Sequence, residues 1–297
     1  MRLPNVDMNL FAVFDAIYEE RNLTRAAKVL HVTQPAVSNS LRRLREVFND
    51  PLFVRTPRGV SPTPVAANIA PEIRSALHLL NVSLNRGTAF DPLTSEKEYT
   101  IGVHDYDEAF LIPKLVARLA KAAPRVSVQC FSVPRRDLEH ELAAGDVDLA
   151  LDVPLFGAPQ LCRQKIDSER YVCLLRNDHP ASAEPLTLER YLDLDHIHIS
   201  TRQRGIGHVD MALEQLGLRR KVRLRMRNYL AGPQIVANSD MALTIPGTLA
   251  GLHDLKTLEL PFIVESLDQY IYWHKSVDLD QANIWLRNTI CELAVSE

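Results

Sequence analysis

The chain has few of the residues on which disulfide-bonded, metal-binding and membrane-spanning proteins depend. Its 297 residues include only four cysteines, Cys130, Cys162, Cys173 and Cys291. They form no CxxC pair and have no spacing typical of metal ligands, so we expect reduced thiols, no bound metal and no other cofactor. No apolar run is long enough to span a bilayer, and Asp7 and Asn9 interrupt the start, where a signal peptide would be apolar. We therefore predict a cytoplasmic protein without a membrane partner.

Charge is unevenly distributed along a chain whose formal net charge is only −3. Between Arg21 and Pro64 there are eight basic and two acidic residues, a local charge of +6, which leaves −9 for the remainder. One basic segment on an acidic body is typical of proteins that bind a polyanion such as DNA.

The basic segment contains two helical patterns joined by a short break, NLTRAAKVLHVTQPAVSNSLRRLRE from Asn22 to Glu46. The first helix is predicted to have Thr24 as its N-cap, because a hydroxyl can accept a hydrogen bond from a backbone N–H of the first turn. His31 and Val32 form the turn. The pattern is typical of a helix-turn-helix, although it also fits an ordinary helical hairpin with a solvated polar face.

The second helix separates apolar from polar side chains and is predicted to start at Thr33 or Gln34. Its buried stripe consists of Val37, Leu41, Leu44 and Phe48. Its polar face consists of Pro35, Ser38, Asn39 and Arg42. Amide side chains pair well with adenine, arginine suits guanine, and the N-terminal end of such a helix meets base edges in the major groove. We therefore interpret it as a recognition helix.

A β-wing is predicted directly after these helices. Residues 50–64 have the pattern of a strand, a turn at Pro57–Gly59 and a return strand. Arg55 and Arg58 would then lie at the phosphate backbone or in the minor groove.

A long helix is predicted from Thr63 to about Asn85, with a bend at Pro71. Its apolar seam consists of Val65, Ile69, Ile73, Leu77, Leu80 and Leu84. A helix directly after a wing is expected to bury such a seam against its twin from a second chain. Packing of the seam on its own domain is the alternative.

After a linker predicted at residues 85–97, strands alternate with helices, which indicates an α/β fold with parallel sheets. The predicted strands are 99–103, 126–133, 148–152, 171–176, 196–200, 222–228, 241–245 and 269–274. The predicted helices are 110–122, 135–144, 207–216, one near Gln234, a turn at Gly247, and 279–293. Two alternating blocks of this kind predict two lobes with a cleft between them.

Taken together, these features resemble the LysR-type transcriptional regulators over essentially the whole chain. One segment resembles the family's DNA-binding pattern, NLTRAAKVLHVTQPAVSNSLRRLREVFNDPLFVRTPRGVSPTP. Two others, ERYVCLLRNDHP and YWHKSVDLDQANIWLRNTI, resemble the branch that contains the salicylate, nitroaromatic and nodulation regulators. The resemblance implies three parts. They are a winged helix-turn-helix domain (1–62), a linker and dimerisation helix (63–90), and a two-lobed, periplasmic-binding-protein-like sensor (91–297, with lobe I at 91–165 and 268–297 and lobe II at 166–267).

The resemblance also implies partners and site residues. Such regulators bind promoter DNA as homodimers through the 63–85 helix and usually as homotetramers. They act as activators or repressors when a small effector resets the geometry, and contact with RNA polymerase is a further expectation. The DNA-binding residues carried over are Thr33, Gln34, Pro35, Ser38, Asn39, Arg42, Arg55 and Arg58. The effector-binding residues carried over are His104, Asp105, Tyr106, Phe131, Glu169, Thr201, Ile206 and Thr248.

Three positions depart from the salicylate-responsive pattern. That pattern implies histidines where Glu169 and Ile206 stand, and an arginine where Thr248 stands. Each expected group could hold a carboxylate, and losing one charge-assisted hydrogen bond costs roughly 1.5–3 kcal/mol. We therefore expect an effector that is aromatic but not salicylate-like, and poor binding of salicylate, which would face Glu169 and Asp105.

Two other functions fit parts of the sequence. Two-lobed α/β domains also host catalysis, and Asp105 and Asp107 are left open as a carboxylate pair, but no nucleophile with a base and no phosphate loop stands out. A ligand-free, constitutive DNA-binding protein is the second alternative. His196 and His198 lack a third metal ligand and do not predict a metal site. We predict a regulator and not an enzyme.

Overall fold

The computed structural model describes residues 6–85, 90–182, 185–200 and 206–294, except for the side chains at positions 82, 84 and 85. The chain divides into two compact units. Unit 1 comprises Met1–Thr88 with Glu139–Asp146, and unit 2 comprises Ala89–Leu138 with Val147–Glu297. None of the helices within these described ranges is long and apolar enough to cross a membrane.

Unit 1 begins with a small helical domain and a two-stranded wing. Its elements are α1 Asn9–Glu20, α2 Leu23–Val29, α3 Gln34–Phe48, β1 Phe53–Thr56, β2 Gly59–Pro62 and α4 Pro64–Asn85. The two strands pair antiparallel. The core beneath the helices includes Leu10, Phe14, Ile17, Ala26, Ala27, Val37, Leu41, Leu44, Leu52 and Phe53. This is the winged helix-turn-helix arrangement that the sequence predicts.

Helix α2 is capped by Asn22 and not by Thr24. Asn22 is extended, and its Oδ1 accepts hydrogen bonds from the backbone N–H groups of Thr24 at 2.9 Å and Arg25 at 3.1 Å. The prediction of Thr24 as the N-cap was therefore wrong. Thr24 already lies in the first turn, where its own N–H needs an acceptor, and the preceding asparagine supplies it.

Helix α4 runs through Pro71 and packs against α1 of its own domain. Ala66, Ala70 and Ile73 are buried in the core of unit 1, whereas Val65 is 38% exposed. Of the predicted seam, Ile73 is thus buried in its own domain and Ile69 packs against the same core, which is the alternative that the sequence left open. Burial of the rest of the seam against a second chain stays a prediction.

Unit 2 contains strands and helices that alternate along much of its length. In chain order the elements are β3 Glu98–Gly102, α5 Asp105–Phe110, α6 Ile112–Ala122, β4 Ser127–Phe131, α7 Arg135–Ala144, β5 Leu149–Asp152, β6 Leu161–Glu169, β7 Tyr171–Leu175, α8 Leu188–Asp193, β8 Asp195–Ile199, α9 His208–Gln215, β9 Lys221–Met226, α10 Gly232–Ala237, β10 Met241–Pro246, α11 Gly247–Ala250, β11 Lys256–Glu259, β12 Leu267–His274 and α12 Gln281–Ala294. The C-terminal part of α7 belongs to unit 1.

The strands form two five-stranded sheets, with orders β4-β3-β5-β12-β6 and β11-β7-β10-β8-β9. We call the first sheet with its helices lobe I and the second sheet with its helices lobe II. β3 is parallel to β4 and β5, and β8 is parallel to β9 and β10. β12 runs antiparallel to β5 and β6, as β7 does to β10 and β11. The expectation of parallel sheets was thus only partly right, because the strands that carry the chain between lobes pair antiparallel.

Four elements do not follow from the sequence patterns: α5, β6, α8 and β11. The middle of β6 is exposed at Arg163, Gln164 and Lys165, so this edge strand lacks the buried alternation by which strands are found. The predicted lobe boundary at residue 165 falls inside it, since β6 continues in lobe I to Glu169. The helix predicted at 110–122 is α6, which begins at Ile112 and ends at Ala122.

Candidate functional site

Helix α3 presents a polar face to solvent. Its first turn contains Pro35 and follows an extended Thr33. Gln34, Asn39 and Arg42 are exposed and Ser38 is half-buried, while Val37, Leu41 and Leu44 are buried beneath them. The stripe at Val37, Leu41 and Leu44 fixes the rotation of the helix in its domain, and so decides which side chains are available to a partner.

The polar side chains of this face are ordered by one another. The Gln34 amide donates to the Ser38 hydroxyl at 2.8 Å, and the Arg42 guanidinium donates to Asn39 Oδ1 at 2.7 Å. Both pairs join residues one helical turn apart. The four groups therefore form a pre-arranged surface of donors and acceptors of the kind that reads base edges.

The wing is anchored to the end of α1. The backbone N–H of Val60 donates to the carbonyl of Arg21 at 2.8 Å, and Gly59 has a φ of +141°. A Cβ at Gly59 would lie 2.2 Å from the Arg21 carbonyl oxygen, so the close approach requires glycine. Arg55 and Arg58 are exposed on this anchored wing.

Unit 2 contains a cavity of about 280 Å³ between the two lobes. It lies where β3, β5 and β8 reach their carboxyl ends, the usual place for a ligand in an open α/β sheet. Its lining from lobe I is His104, Asp105, Tyr106, Asp107, Arg135, Asp152, Val153, Leu267 and Gln269. Its lining from lobe II is Tyr171, His198, Ile199, Ser200, Ile206, Gly207, His208, Val209, Met211, Arg220, Tyr229 and Thr244. We refer to this space as the inter-lobe cavity.

Half of the residues predicted to bind an effector line this cavity: His104, Asp105, Tyr106 and Ile206. Phe131, Glu169 and Thr248 do not line it, and Thr201 lies outside the described residues. Phe131 instead ends β4 with 53% of its surface exposed. The inter-lobe cavity thus draws on the loop after β3 as predicted.

Glu169 is buried beside the cavity and faces groups of its own chain. Its carboxylate accepts a short hydrogen bond from the Tyr106 hydroxyl and a 3.0 Å bond from the backbone N–H of Thr248. Whether a bound carboxylate would face Glu169 therefore stays a prediction, because both of these partners belong to the chain itself. Since both partners donate to it, Glu169 fixes Tyr106 at the cavity wall and the start of α11.

The wall of lobe I carries an ion-pair cluster of His104, Asp152 and Arg135. Asp152 accepts from Arg135 at 2.6 to 3.0 Å and lies 3.6 Å from His104 Nε2. Burial would raise the pKa of Asp152, but the hydrogen bonds from His104 and Arg135 outweigh it and hold that pKa below its usual value. The hydrogen bond with Asp152 raises the pKa of His104. The cluster is thus largely self-neutralised.

The wall of lobe II carries a matching cluster of His198, Asp210 and Arg220. Arg220 Nε donates to Asp210 Oδ1 at 2.6 Å, and His198 Nδ1 lies 3.0 Å from Asp210 Oδ2. Burial would raise the pKa of Asp210, but the hydrogen bonds from His198 and Arg220 outweigh the effect of burial and lower that pKa strongly. Sequence reasoning missed this cluster, because its members come from β8, from α9 and from the residue before β9. No group of residues in the described part of the chain has a metal-binding arrangement.

Asp105 links the two lobes across one end of the cavity. Its carboxylate accepts a short hydrogen bond from the backbone N–H of Tyr229 and a second from Leu230 at 3.3 Å. Asp107 accepts from the backbone N–H of His104 at 3.2 Å, and burial raises its pKa to about 7. Each acid therefore has a structural partner, which weakens the alternative of a catalytic carboxylate pair.

Known proteins match the chain across both of its parts. Residues 8–67 match the family model "Bacterial regulatory helix-turn-helix protein, lysR family", and residues 94–293 match "LysR substrate binding domain". The HTH-type transcriptional activator NahR of Pseudomonas putida is 36% identical over 297 residues, with 99% of each chain covered. Nodulation protein D 2 of Rhizobium tropici is 31% identical, covering 99% of this chain and 95% of the relative.

A solved structure supports the same likeness in three dimensions. The crystal structure of the probable transcriptional regulator PA0477 from Pseudomonas aeruginosa has a TM-score of 0.73 and 31% sequence identity, with 99% of each chain covered. The similarity therefore extends over the helix-turn-helix, the long helix and the two-lobed part together.

Proposed function

The chain belongs to the LysR family of transcriptional regulators, and on that premise we propose that it binds promoter DNA through α3 and its wing and is switched by a small molecule in the inter-lobe cavity. The family is one of regulators, so an enzymatic activity is set aside. The observation that carries the proposal is the ordered, exposed polar face of α3 in a basic segment.

The side chains of α3 divide into those that read bases and those that position the helix. Gln34 and Asn39 suit adenine, Arg42 suits guanine, and Ser38 can bond either kind of base. These groups presently bond one another and would exchange those bonds for base edges. Thr33, Arg55 and Arg58 contact phosphates, which position the protein without carrying sequence information.

The inter-lobe cavity couples a ligand to DNA through the arrangement of the lobes. Its walls come from both sheets, so a molecule that binds there has a different affinity for each arrangement of the lobes. Such a ligand shifts the equilibrium by at most that difference in affinity. Salicylate remains predicted to bind poorly, since Arg135 and Arg220 already pair with carboxylates.

We also propose that the protein works in the cytoplasm as a dimer through α4, assembled into a tetramer. Leu79 and Leu80 support this, because they are 45% and 49% exposed on the half of α4 that lies beyond its own core. A pair of α4 helices would bury them. We include in this proposal that the promoter-bound protein contacts RNA polymerase.

Selection of DNA by the full-length protein from a random library tests the DNA-binding half of the proposal. Replacing Asn39 with alanine is expected to weaken binding to the selected sequence by about 1–3 kcal/mol and to relax the base preference at one base pair. Replacing Arg58 should weaken binding to all sequences evenly. It should also reduce the slope of log affinity against log salt concentration by the amount expected for about one phosphate contact. Arg136, an exposed arginine of unit 2, provides the matched control. Enrichment of no sequence over random DNA would overturn the proposal.

A further inference from the structure

We propose that the inter-lobe cavity takes a neutral aromatic molecule of one or two rings with a hydroxyl at each end, bonded to His198 in lobe II and Gln269 in lobe I. The inference rests on the proposed function, because it names the chemistry of the ligand for that cavity. It is carried by two buried polar atoms in the lining that have no hydrogen-bond partner among the described residues, His198 Nε2 and Gln269 Oε1.

His198 offers the first polar contact. Its side chain is 3% exposed, and its Nδ1 lies 3.0 Å from Asp210 Oδ2, which accepts, and 3.1 Å from Arg220 Nη2, which donates. Nδ1 therefore has a partner in either tautomer, and Nε2 is the ring nitrogen that has none among the described residues. A ligand hydroxyl suits Nε2 in both tautomers, because it can donate as well as accept.

Gln269 offers the second polar contact, on the β12 strand of lobe I. It is 6% exposed, and within the described ranges its Oε1 has no partner. A hydroxyl both donates and accepts, so it satisfies either end of the amide. Burying an unpaired amide is unfavourable, and a ligand hydroxyl at this position would remove that cost.

The remaining lining favours an aromatic body between the two ends. Tyr171 and Tyr229 contribute rings, and Ile199, Ile206 and Met211 contribute apolar surface. An apolar cavity of about 150 Å³ holds benzene, so a cavity of about 280 Å³ accommodates one or two substituted rings. The combination of flat apolar walls with two polar ends matches a dihydroxylated aromatic.

The charges of the described lining give a ligand carboxylate little to bind. The guanidinium of Arg135 pairs with Asp152, and that of Arg220 pairs with Asp210. An anion would have to displace a carboxylate of the protein from one of these pairs. A neutral ligand avoids that competition.

Calorimetry on the full-length protein tests the inference with four naphthalenes substituted at positions two and seven, or at position two alone. The probes are the diol, the monohydroxy compound, the dimethoxy compound and the carboxylate. The diol is expected to bind tightest. The monohydroxy and dimethoxy compounds should each bind roughly threefold to tenfold more weakly, because the first lacks one hydroxyl and the second cannot donate to Gln269 Oε1, and one lost hydrogen bond weakens binding by about that factor.

The variant Gln269→Met tests whether Gln269 causes the preference for the diol over the monohydroxy compound. It should abolish the preference for the diol over the monohydroxy compound and leave the dissociation constant of the latter unchanged. The melting temperature of the unliganded variant should not fall, since the replaced oxygen has no partner in the described chain. Gln164→Met on the neighbouring strand β6 is the control, because Gln164 is exposed and does not line the cavity, and it should keep the preference.

Each result bears on one of the two proposals. Tighter binding of the carboxylate, binding of none of the four probes, or an undiminished preference in Gln269→Met would overturn the ligand assignment. In each case, retained sequence-specific DNA binding by the same preparation would leave the DNA-binding half of the proposed function standing. Binding of the diol with no change in DNA affinity would support the ligand class and would refute the proposed switch.

Discussion

Replacing Asp107 by asparagine is expected to stabilise the protein at neutral and alkaline pH and to leave its stability unchanged in acid. Asp107 is 6% exposed, and burial raises its pKa from 3.8 to about 7 in spite of the hydrogen bond that the His104 N–H donates to it. The folded protein therefore keeps this carboxyl protonated over a range in which the unfolded chain ionises it.

The sign of the effect follows from proton linkage. Well below pH 3.8 both states hold the proton, and the carboxyl has no net effect on stability. As the pH rises from 3.8 to about 7 the unfolded chain loses its proton first, which favours unfolding, and above about 7 the loss of stability is complete. At about 1.4 kcal/mol per pH unit, that interval gives an upper bound of about 4 kcal/mol. The interaction with His104 is already contained in the pKa of Asp107, so we expect the variant to gain stability above pH 7 by no more than this bound.

Urea unfolding between about pH 4.5 and pH 8.5 measures this difference. The amide oxygen of asparagine can still accept the His104 N–H, so the variant keeps the start of α5. Glu108→Gln provides the matched control, because Glu108 is an exposed carboxylate on the same helix, and its difference from the wild type should not change with pH. A difference between Asp107→Asn and the wild type that is the same at every pH would refute the reasoning.

Three further perturbations are expected to change the free energy of unfolding, each measured by urea denaturation. Asn22→Ala should cost about 1 kcal/mol through loss of the α2 cap, while Thr24→Ala should cost much less; the reverse order would contradict the cap assignment. Asp210→Asn leaves the buried guanidinium of Arg220 without a charge partner and should cost about 3–5 kcal/mol, so a loss below 1 kcal/mol would count against a buried ion pair. Glu169→Gln places an NH2 group against one of its two donors, the Tyr106 hydroxyl or the Thr248 N–H, and should lower the free energy of unfolding by about 1–3 kcal/mol. An unchanged stability would show that Glu169 does not accept these two hydrogen bonds.

The helix-turn-helix could be predicted from the sequence because its signals are local. The apolar spacing of Val37, Leu41 and Leu44 lies within one helix, and it fixes which side chains of α3 remain outside. Pro35 marks the first turn in the same way. Even here the cap was misplaced by two residues, because Asn22 and Thr24 are equally able to cap and only the backbone conformation at Asn22 distinguishes them.

The alternating part of unit 2 was predicted in outline, since buried parallel strands have continuous apolar runs. Edge strand β6 was not, because half of its side chains face solvent and its partner β12 lies about a hundred residues away in the sequence. Strand direction in a sheet depends on such distant pairings, and no local pattern records them. The mixed character of both sheets therefore appears only in the fold.

The sequence by itself determined the family, the exposed polar face of α3 and the presence of two lobes, because periodicity, turns and motif residues act over a few positions. The tertiary structure alone decided which side chains meet in the inter-lobe cavity. It paired Glu169 with Tyr106, and it placed His198 and Gln269, from strands in different sheets, in the lining of one cavity. Hydrogen bonds and ion pairs form between neighbours in space, and a single sequence does not state which residues those neighbours are.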